Sequence, residues 1–173
     1  MIIIVEGIDR VGKTTLCNAL SKATGIPIYK HHNAVMSYSD MDNYNETDKM
    51  LQLIDVCNIT KSDIIFDRFH FSDYVYGILE RDYESVSAIE HLKLIDNVLR
   101  KSNALLLLMQ PTDIKRSSEE HGKDLTPYFK LMQNAYRLST MNMIMCNYNS
   151  MQDIVDYVKE RYNAIIQNRS ESK

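Results

Sequence analysis

Cysteine is scarce in this sequence, and its spacing argues against two common structural devices. The three cysteines, Cys17, Cys57 and Cys146, lie far apart, with no CxxC pair and no histidine at zinc-ligand spacing. Disulfide frameworks and cysteine-based zinc sites both need closer or more numerous partners. We therefore expect three buried or half-buried free thiols.

Long apolar runs and an excess of positive charge are also absent. The longest apolar run, ALLLLM at residues 104–109, is much shorter than a membrane span. The first residues, MIIIVE, lack the basic leader and the small-residue cleavage site of a signal peptide. The net charge of −3 argues against a general cationic surface for nucleic acid. We expect a soluble, cytoplasmic protein that binds neither membranes nor nucleic acid.

Apolar runs and helical segments alternate along the chain. Strands are predicted at 1–5, 26–30, 63–67, 104–109 and 141–146, and helices at 13–23, 48–60, 85–102, 125–140 and 151–167. Residues 31–46 are polar without a clear period, and we predict a loop or a broken helix there. This alternation predicts a parallel sheet in an α/β layer sandwich, with ligands at the carboxyl ends of the strands. With no linker or repeat, residues 1–173 are expected to form one domain.

The most specific motif is at residues 7–14, GIDRVGKT, which matches the phosphate-binding pattern GxxxxGKT. Gly7 and Gly12 let backbone N–H groups wrap around an anion, and the following helix adds the positive end of its dipole. Lys13 neutralises phosphate oxygens, and Thr14 supplies a magnesium ligand. The sequence therefore predicts a nucleotide site directly after the first strand.

A GTP-dependent switch protein is the first alternative that the motif leaves open. Such proteins read the base with an N/TKxD element, and residues 60–63 read TKSD. This tetrapeptide precedes the third strand and so lies at the opposite edge of the sheet from the phosphate loop. No separate DxxG element follows a strand, so the switch hypothesis has little support.

A second motif, FDRFHFSDYVYG at residues 66–77, follows the third strand. Asp67 ends a buried strand at the nucleotide edge, where a carboxylate can hold a magnesium-bound water, and Arg68 projects into the same crevice. A cation beside a metal-bound phosphate suits phosphoryl transfer. The alternative is a structural role, in which Asp67 caps a turn and Arg68 forms a surface ion pair.

Together, VEGIDRVGKTT and DRFHFSDYVYG resemble thymidylate kinase and its relatives, the nucleoside and nucleoside-monophosphate kinases. Their loops read roughly EGxDxxGKTT and their later motif DRYxxSxxxY, which Ser72 and Tyr76 match. The resemblance implies a three-layer sandwich of P-loop kinase type with strand order 2-3-1-4-5, ATP and Mg²⁺ as donor, and a homodimer through the helix at 85–102. It also implies that Asp9 contacts the acceptor sugar or orients the loop, and that Arg68 holds an acceptor phosphate.

The resemblance also assigns a mobile lid, which in this chain corresponds to the charged residues 112–124. In the subgroup with arginine directly after the loop acid, that arginine replaces a lid cation, which makes Arg10 the transition-state cation. The alternative is that Arg10 is a solvated loop residue. We assign catalysis to Lys13, Arg10, Arg68 and Asp9; nucleotide binding to Gly7, Asp9, Arg10, Val11, Gly12, Lys13, Thr14, Thr15 and Arg116; and Mg²⁺ to Thr14 and Asp67.

The acceptor is less well specified than the donor. Between Lys30 and Asp63 the chain lacks the arginine and the phenylalanine that thymidylate kinases use for the acceptor, although Tyr38 and Tyr44 could stack on a base. Glu6 could orient a cation or act as a base. We expect phosphoryl transfer from ATP to a nucleotide-type acceptor, with a deoxynucleoside monophosphate such as dTMP favoured. The alternatives are a kinase of a nucleoside or another small hydroxyl compound, and a noncatalytic ATP-binding module.

Overall fold

A computed structural model describes the backbone of residues 1–30 and 40–171, with side chains for 1–30 and 46–171. The strands are β1 Ile2–Glu6, β2 Ile28–Lys30, β3 Ile64–Asp67, β4 Leu105–Met109 and β5 Asn142–Cys146. The helices are α1 Lys13–Thr24, α2 Asp40–Thr60, α3 His70–Glu80, α4 Ser85–Lys101, α5 Ile114–His121, α6 Thr126–Leu138 and α7 Met151–Glu171. A short 3₁₀ turn, Tyr148–Ser150, precedes α7. Tyr38 and Tyr44, the candidate base-stacking residues, lie outside the described side chains.

The five strands form one parallel sheet in the order β2-β3-β1-β4-β5, which confirms the predicted fold class and strand order. In the register of the central strand, Ile4 lies opposite Phe66 on β3 and Leu106 on β4. Every residue of β1 and β4 is buried, because helices cover both faces of the sheet. Apolar runs without alternation are typical of such strands. The order leaves β1 at the centre, so the loop that follows it lies at the middle of the carboxyl edge.

Helices pack against the sheet in two groups, which makes the sandwich three layers deep. In one group α1 contacts α7, and in the other α3 contacts both α4 and α6, while α2 contacts α4. The three cysteines are buried and free, as predicted. Within the described ranges, no helix has both the length and the apolar character that a membrane span requires.

Of the segment 31–46, residues 31–39 lie outside the described part of the chain, and for residues 40–46 the prediction was wrong, because α2 begins at Asp40. These first turns carry no apolar period, but the helix contains neither glycine nor proline. A helix already nucleated by the apolar turns after residue 48 can therefore extend backward, since propagation costs much less than nucleation.

The charged segment 112–124 contains a helix that the pattern of apolar residues did not predict. Asp113 caps α5, with a side-chain oxygen that accepts from the N–H groups of Lys115 at 2.9 Å and Arg116 at 3.2 Å. Gly122 ends the helix in the left-handed region, with φ of 76°. Local capping thus defines this short helix where apolar periodicity is lacking.

Candidate active site

The loop between β1 and α1 depends on glycine at two positions. Gly7 has φ of 143°, and a Cβ atom there would lie 2.5 Å from the carbonyl oxygen of Met109. That contact is with the backbone of β4, so it cannot be relieved by a side-chain rotation. Gly12 has φ of 92° and occupies the position before the first residue of α1. The loop therefore lies directly against the end of β4 and turns sharply into the helix.

Lys13 begins α1 and is only 6% exposed. Its ammonium donates to the carbonyl oxygen of Ile8 at 2.5 Å, so the side chain is held across the loop. Burial, with Arg68 as a further contribution, lowers the pKa of Lys13 to about 7, although nearby carboxylates oppose the shift. An anion bound in the loop would favour the charged form and raise this pKa again.

Thr14 and Asp67 meet at the carboxyl edge of the sheet. The Thr14 hydroxyl donates to Oδ2 of Asp67 at 2.8 Å, and Asp67 is the buried last residue of β3. A hydroxyl and a carboxylate side by side are oxygen ligands of the kind that Mg²⁺ prefers. Because they supply few ligands, the remaining positions would be taken by phosphate oxygens and water. In the described part of the chain, no group of three or more His, Cys, Asp or Glu residues is arranged to hold a metal by itself.

These residues line a pocket of about 450 Å³, which we call the central pocket. It brings together residues from the phosphate loop and from the ends of β2, β3 and α5. Its lining consists of Asp9, Arg10, Gly12, Lys13, Thr14, Lys30, Asp67, Arg68 and His121. Lys30 and His121 were not predicted. The position of Lys30 at the carboxyl end of β2 is a usable signal, whereas nothing in the sequence around His121 points to this pocket.

The Asp9 carboxylate is the meeting point of three elements around the central pocket. Arg68 pairs with Oδ1, while the Tyr76 hydroxyl donates to Oδ2 at 2.8 Å and Nε2 of His121 lies 3.2 Å from the same oxygen. Burial by itself raises the pKa of Asp9, but the Arg68 guanidinium, the Tyr76 hydroxyl and the other nearby cations outweigh it and hold the pKa below its usual value. Asp9 is therefore an anion held by partners from the β3–α3 turn, α3 and α5.

Arg68 is positioned by an uncommon backbone conformation and by Tyr76. Its φ is 70°, in the left-handed region, while its N–H still donates to the carbonyl oxygen of Val5 at 3.0 Å. The guanidinium carbon lies 5.1 Å from the centre of the Tyr76 ring, close enough for a cation–π interaction. A non-glycine residue with positive φ at a strand end indicates a conformation maintained by its surroundings.

Glu6 does not contact Lys13 or Arg68 through any described hydrogen bond; it caps α3. Its Oε1 accepts from the N–H groups of Phe69 at 2.8 Å, Phe71 at 2.9 Å and Ser72 at 3.1 Å. Its Oε2 accepts from the Ser72 hydroxyl at 2.5 Å. The side chain is fully buried. Glu6 thus joins the end of β1 to the first turn of α3 and fixes the turn that carries Arg68.

A second pocket, of about 470 Å³, lies on the other side of the phosphate loop, and we call it the outer pocket. Its lining includes Arg10, Val11, Arg116, Tyr148 and Asn149. The Arg116 side chain is 76% exposed, and its Nε pairs with Glu120 at 2.8 Å. Arg116 therefore faces the outer pocket, and the exposed Arg10, with φ of 63°, lines both pockets. Thr15 is exposed and lines neither of them.

Comparisons with known proteins find similarity in structure only. No protein-family model matches the chain, and no curated protein matches it. The YorR protein from Bacillus subtilis, solved in complex with phosphorylated GDP, is 21% identical, with a TM-score of 0.74 over 94% of this chain and 98% of that one. Deoxyadenosine kinase from M. mycoides with bound dCTP is 15% identical, with a TM-score of 0.52 over 95% and 100%.

The chain has the P-loop nucleotide-kinase fold. Because the identities are below 25%, the similarity establishes the fold and leaves the activity to be argued from the site. A thymidylate kinase from Candida albicans aligns over 99% of this chain and 93% of that one, with a TM-score of 0.46, which is too low to support an argument. In this kinase fold the central pocket lies at the carboxyl edge of the sheet, where ligands of open α/β sheets bind.

Proposed function

We propose that this protein transfers the γ-phosphoryl group of ATP to a nucleotide-type acceptor, and that the favoured acceptor is a deoxynucleoside monophosphate such as dTMP. One observation carries the proposal. The phosphate loop, the Thr14–Asp67 pair and the Arg68–Asp9 pair all line the same pocket of about 450 Å³. Phosphoryl transfer depends mainly on positioning and on charge neutralisation, and this pocket offers groups for both.

On the donor side, backbone N–H groups of the phosphate loop and Lys13 would hold the β- and γ-phosphates. Thr14 and Asp67 would hold Mg²⁺, which would neutralise part of the phosphate charge. Arg10 lines both pockets, and its guanidinium would stabilise the charge that develops on the γ-phosphoryl group. The outer pocket, with Arg116 and Tyr148, would take the rest of the nucleotide.

On the acceptor side, Lys30 supplies a cation where the sequence lacks the arginine that thymidylate kinases use for the acceptor. Four cationic side chains line the central pocket, Arg10, Lys13, Lys30 and Arg68, against the carboxylates Asp9 and Asp67. This surplus of positive charge suits two phosphate groups better than one. A monophosphate acceptor would bring its own phosphate toward Lys30 and Arg68, with its sugar hydroxyl near Asp9.

A nucleoside acceptor is the second candidate, and one observation favours it. Arg68 is already paired with Asp9, which reduces the positive charge available for an acceptor phosphate. The kinase fold also occurs in a deoxyadenosine kinase, which is similar to this chain at a TM-score of 0.52. A noncatalytic ATP-binding module would keep the donor site and show no turnover.

An acceptor screen tests the proposal. The purified protein is given MgATP and each common nucleoside or deoxynucleoside monophosphate, and ADP formation is measured against a control without acceptor. We expect turnover with a deoxynucleoside monophosphate. Turnover with nucleosides alone would favour the second candidate, and no turnover above the control with any acceptor would contradict transfer.

A lysine substitution separates the two acceptor classes. Lys30→Met should raise KM for a monophosphate acceptor by about 10-fold or more, because a charged hydrogen bond contributes about 1.5–3 kcal/mol. KM for ATP should change little. The matched control is Lys22→Met, which removes an exposed lysine from the last turn of α1. If Lys30→Met and Lys22→Met behave alike, Lys30 does not hold the acceptor phosphate.

A further inference from the structure

The segment 112–124 reaches the central pocket through one side chain. Thr112, Asp113, Arg116, Ser117 and Glu120 line the outer pocket. Of residues 112–124, all of which the structure describes, His121 alone lines the central pocket. The residue that brings this segment to the proposed site of transfer is therefore a histidine at the end of α5, whereas Arg116, predicted to bind the nucleotide, lines the outer pocket.

Contacts on both sides of His121 hold it in this place. Asp113 caps the start of α5, and the N–H of Gly122 donates to the carbonyl oxygen of Ser118 at 2.9 Å at its end. The next residue, Lys123, pairs with Glu80 of α3 at 2.6 Å. Lys123 also lies 4.3 Å over the ring of Tyr128 in α6. The end of α5 is thus tied to α3 and α6, and the imidazole extends from it toward Asp9.

The imidazole contacts the Asp9 carboxylate, which already has two other partners in the pocket. Its Nε2 lies 3.2 Å from Oδ2 of Asp9, which also accepts from Tyr76, while Arg68 occupies Oδ1. Its Nδ1 is buried and has no hydrogen-bond partner among the described residues. A carboxylate has about four acceptor positions, so these three partners leave one for an incoming hydroxyl group.

We propose that His121 is a positioning residue that couples α5 to the acceptor site. Through the contact of its Nε2 with Oδ2 of Asp9, it keeps α5 closed over the central pocket and restricts Asp9 to the orientation in which its free position faces the acceptor hydroxyl. The second part of this role rests on the proposed function, whereas the closure of α5 does not. Without His121, Asp9 keeps Arg68 and Tyr76 but turns more freely, and α5 opens more often.

The first test needs no substrate. Hydrogen exchange of the α5 amides is measured in the free protein for His121→Gln, for Asp9→Asn and for the double variant. We expect each single variant to increase exchange of α5 by about 3-fold or more, as for the loss of a partly exposed charged contact. The double variant should exchange like either single variant, because both remove the same contact. Glu119→Gln, an exposed change on the same helix, is the matched control and should leave exchange unchanged.

The second test separates acceptor binding from donor binding. His121→Gln should raise KM for the acceptor by about 10-fold, with kcat and KM for ATP changed by less than about 3-fold, since Asp9 loses the imidazole that fixes its orientation. Arg116→Gln, which faces the outer pocket, should instead raise KM for ATP. His121→Lys places another donor beside Asp9 and should recover part of the acceptor affinity, which the loss of imidazole packing alone would not allow.

The outcomes distinguish this inference from the proposed function. If the unaltered protein turns over no acceptor, the proposed function fails, and the exchange measurements still decide whether His121 closes α5 through Asp9. Additive effects of His121→Gln and Asp9→Asn on α5 exchange would overturn the coupling. An acceptor KM that is unchanged in His121→Gln, in an enzyme that does turn over, would overturn the positioning role.

Discussion

Replacing Glu6 by glutamine separates a structural role of this carboxylate from a catalytic one. Glu6 is the last residue of the central strand, where a carboxylate could act as a base, yet its oxygens accept from three backbone N–H groups and one hydroxyl at the start of α3. In Glu6→Gln the remaining carbonyl oxygen can still accept from the three N–H groups. The Ser72 hydroxyl can rotate to accept from the new amide.

The expected loss is therefore the charge assistance of these bonds. Hydrogen bonds to a charged group contribute about 1.5–3 kcal/mol and neutral ones about 0.5–1.5 kcal/mol. Because one carboxylate serves all four donors, the effects are not additive, and we expect a loss of about 2 kcal/mol in the free energy of unfolding. For a chain of 173 residues this lowers Tm by about 4–8 °C. Glu6→Ala leaves the same buried donors without a partner and should cost more than about 3 kcal/mol.

The assay combines thermal unfolding with turnover, measured at a temperature well below both Tm values. If Glu6 is a cap, Glu6→Gln should lower Tm as stated while kcat falls by less than about 10-fold. The control is Glu90→Gln, an exposed change on α4 that should alter neither quantity. Loss of a general base lowers rates by about 10²–10⁴-fold. A fall in kcat of that size in Glu6→Gln, with Tm unchanged, would refute the capping role.

Two further predictions concern the phosphate loop. Gly7→Ala should abolish nucleotide binding, because the new Cβ would lie 2.5 Å from the carbonyl oxygen of Met109. The control is Gly25→Ala, where φ is also positive but no atom lies within 4 Å of the new Cβ. This variant should only lower the free energy of unfolding, by about 1 kcal/mol. Equal nucleotide affinity in both variants, measured by calorimetry, would contradict the close-approach argument. The pKa of Lys13 is about 7, well below its usual 10.5, so protonation of this lysine opposes folding. Its contribution to the free energy of unfolding therefore rises with pH between these two values. At pH 8, where Lys13 is mostly neutral in the free protein, binding of ATP should take up a proton. Calorimetry in two buffers of different ionisation enthalpy measures this uptake, which Lys13→Met should remove; no uptake by the unaltered protein at pH 8 would show that Lys13 is already charged.

Features that depend only on neighbouring residues could be predicted from the sequence. The phosphate loop is eight consecutive residues whose glycines and lysine can be recognised without knowledge of any distant contact. The apolar runs of β1 and β4 predicted a buried parallel sheet, since strands covered on both faces need no alternation. The motif that contains Asp67 and Arg68 was likewise recognisable, because Asp67 ends a strand at the ligand edge and Arg68 directly follows it.

The contacts between side chains across the pocket depend on the complete fold and could not be predicted from the sequence. Glu6 caps a helix that begins more than sixty residues later in the chain, and His121 reaches Asp9 from a helix with no apolar period. Lys30 joins them from the end of a three-residue strand. Such contacts depend on sheet register, helix ends and the direction of each side chain, which are set by packing across the whole domain. A local pattern does not encode them, because its residues are chosen for the conformation of one segment and not for the partner that folding brings to it.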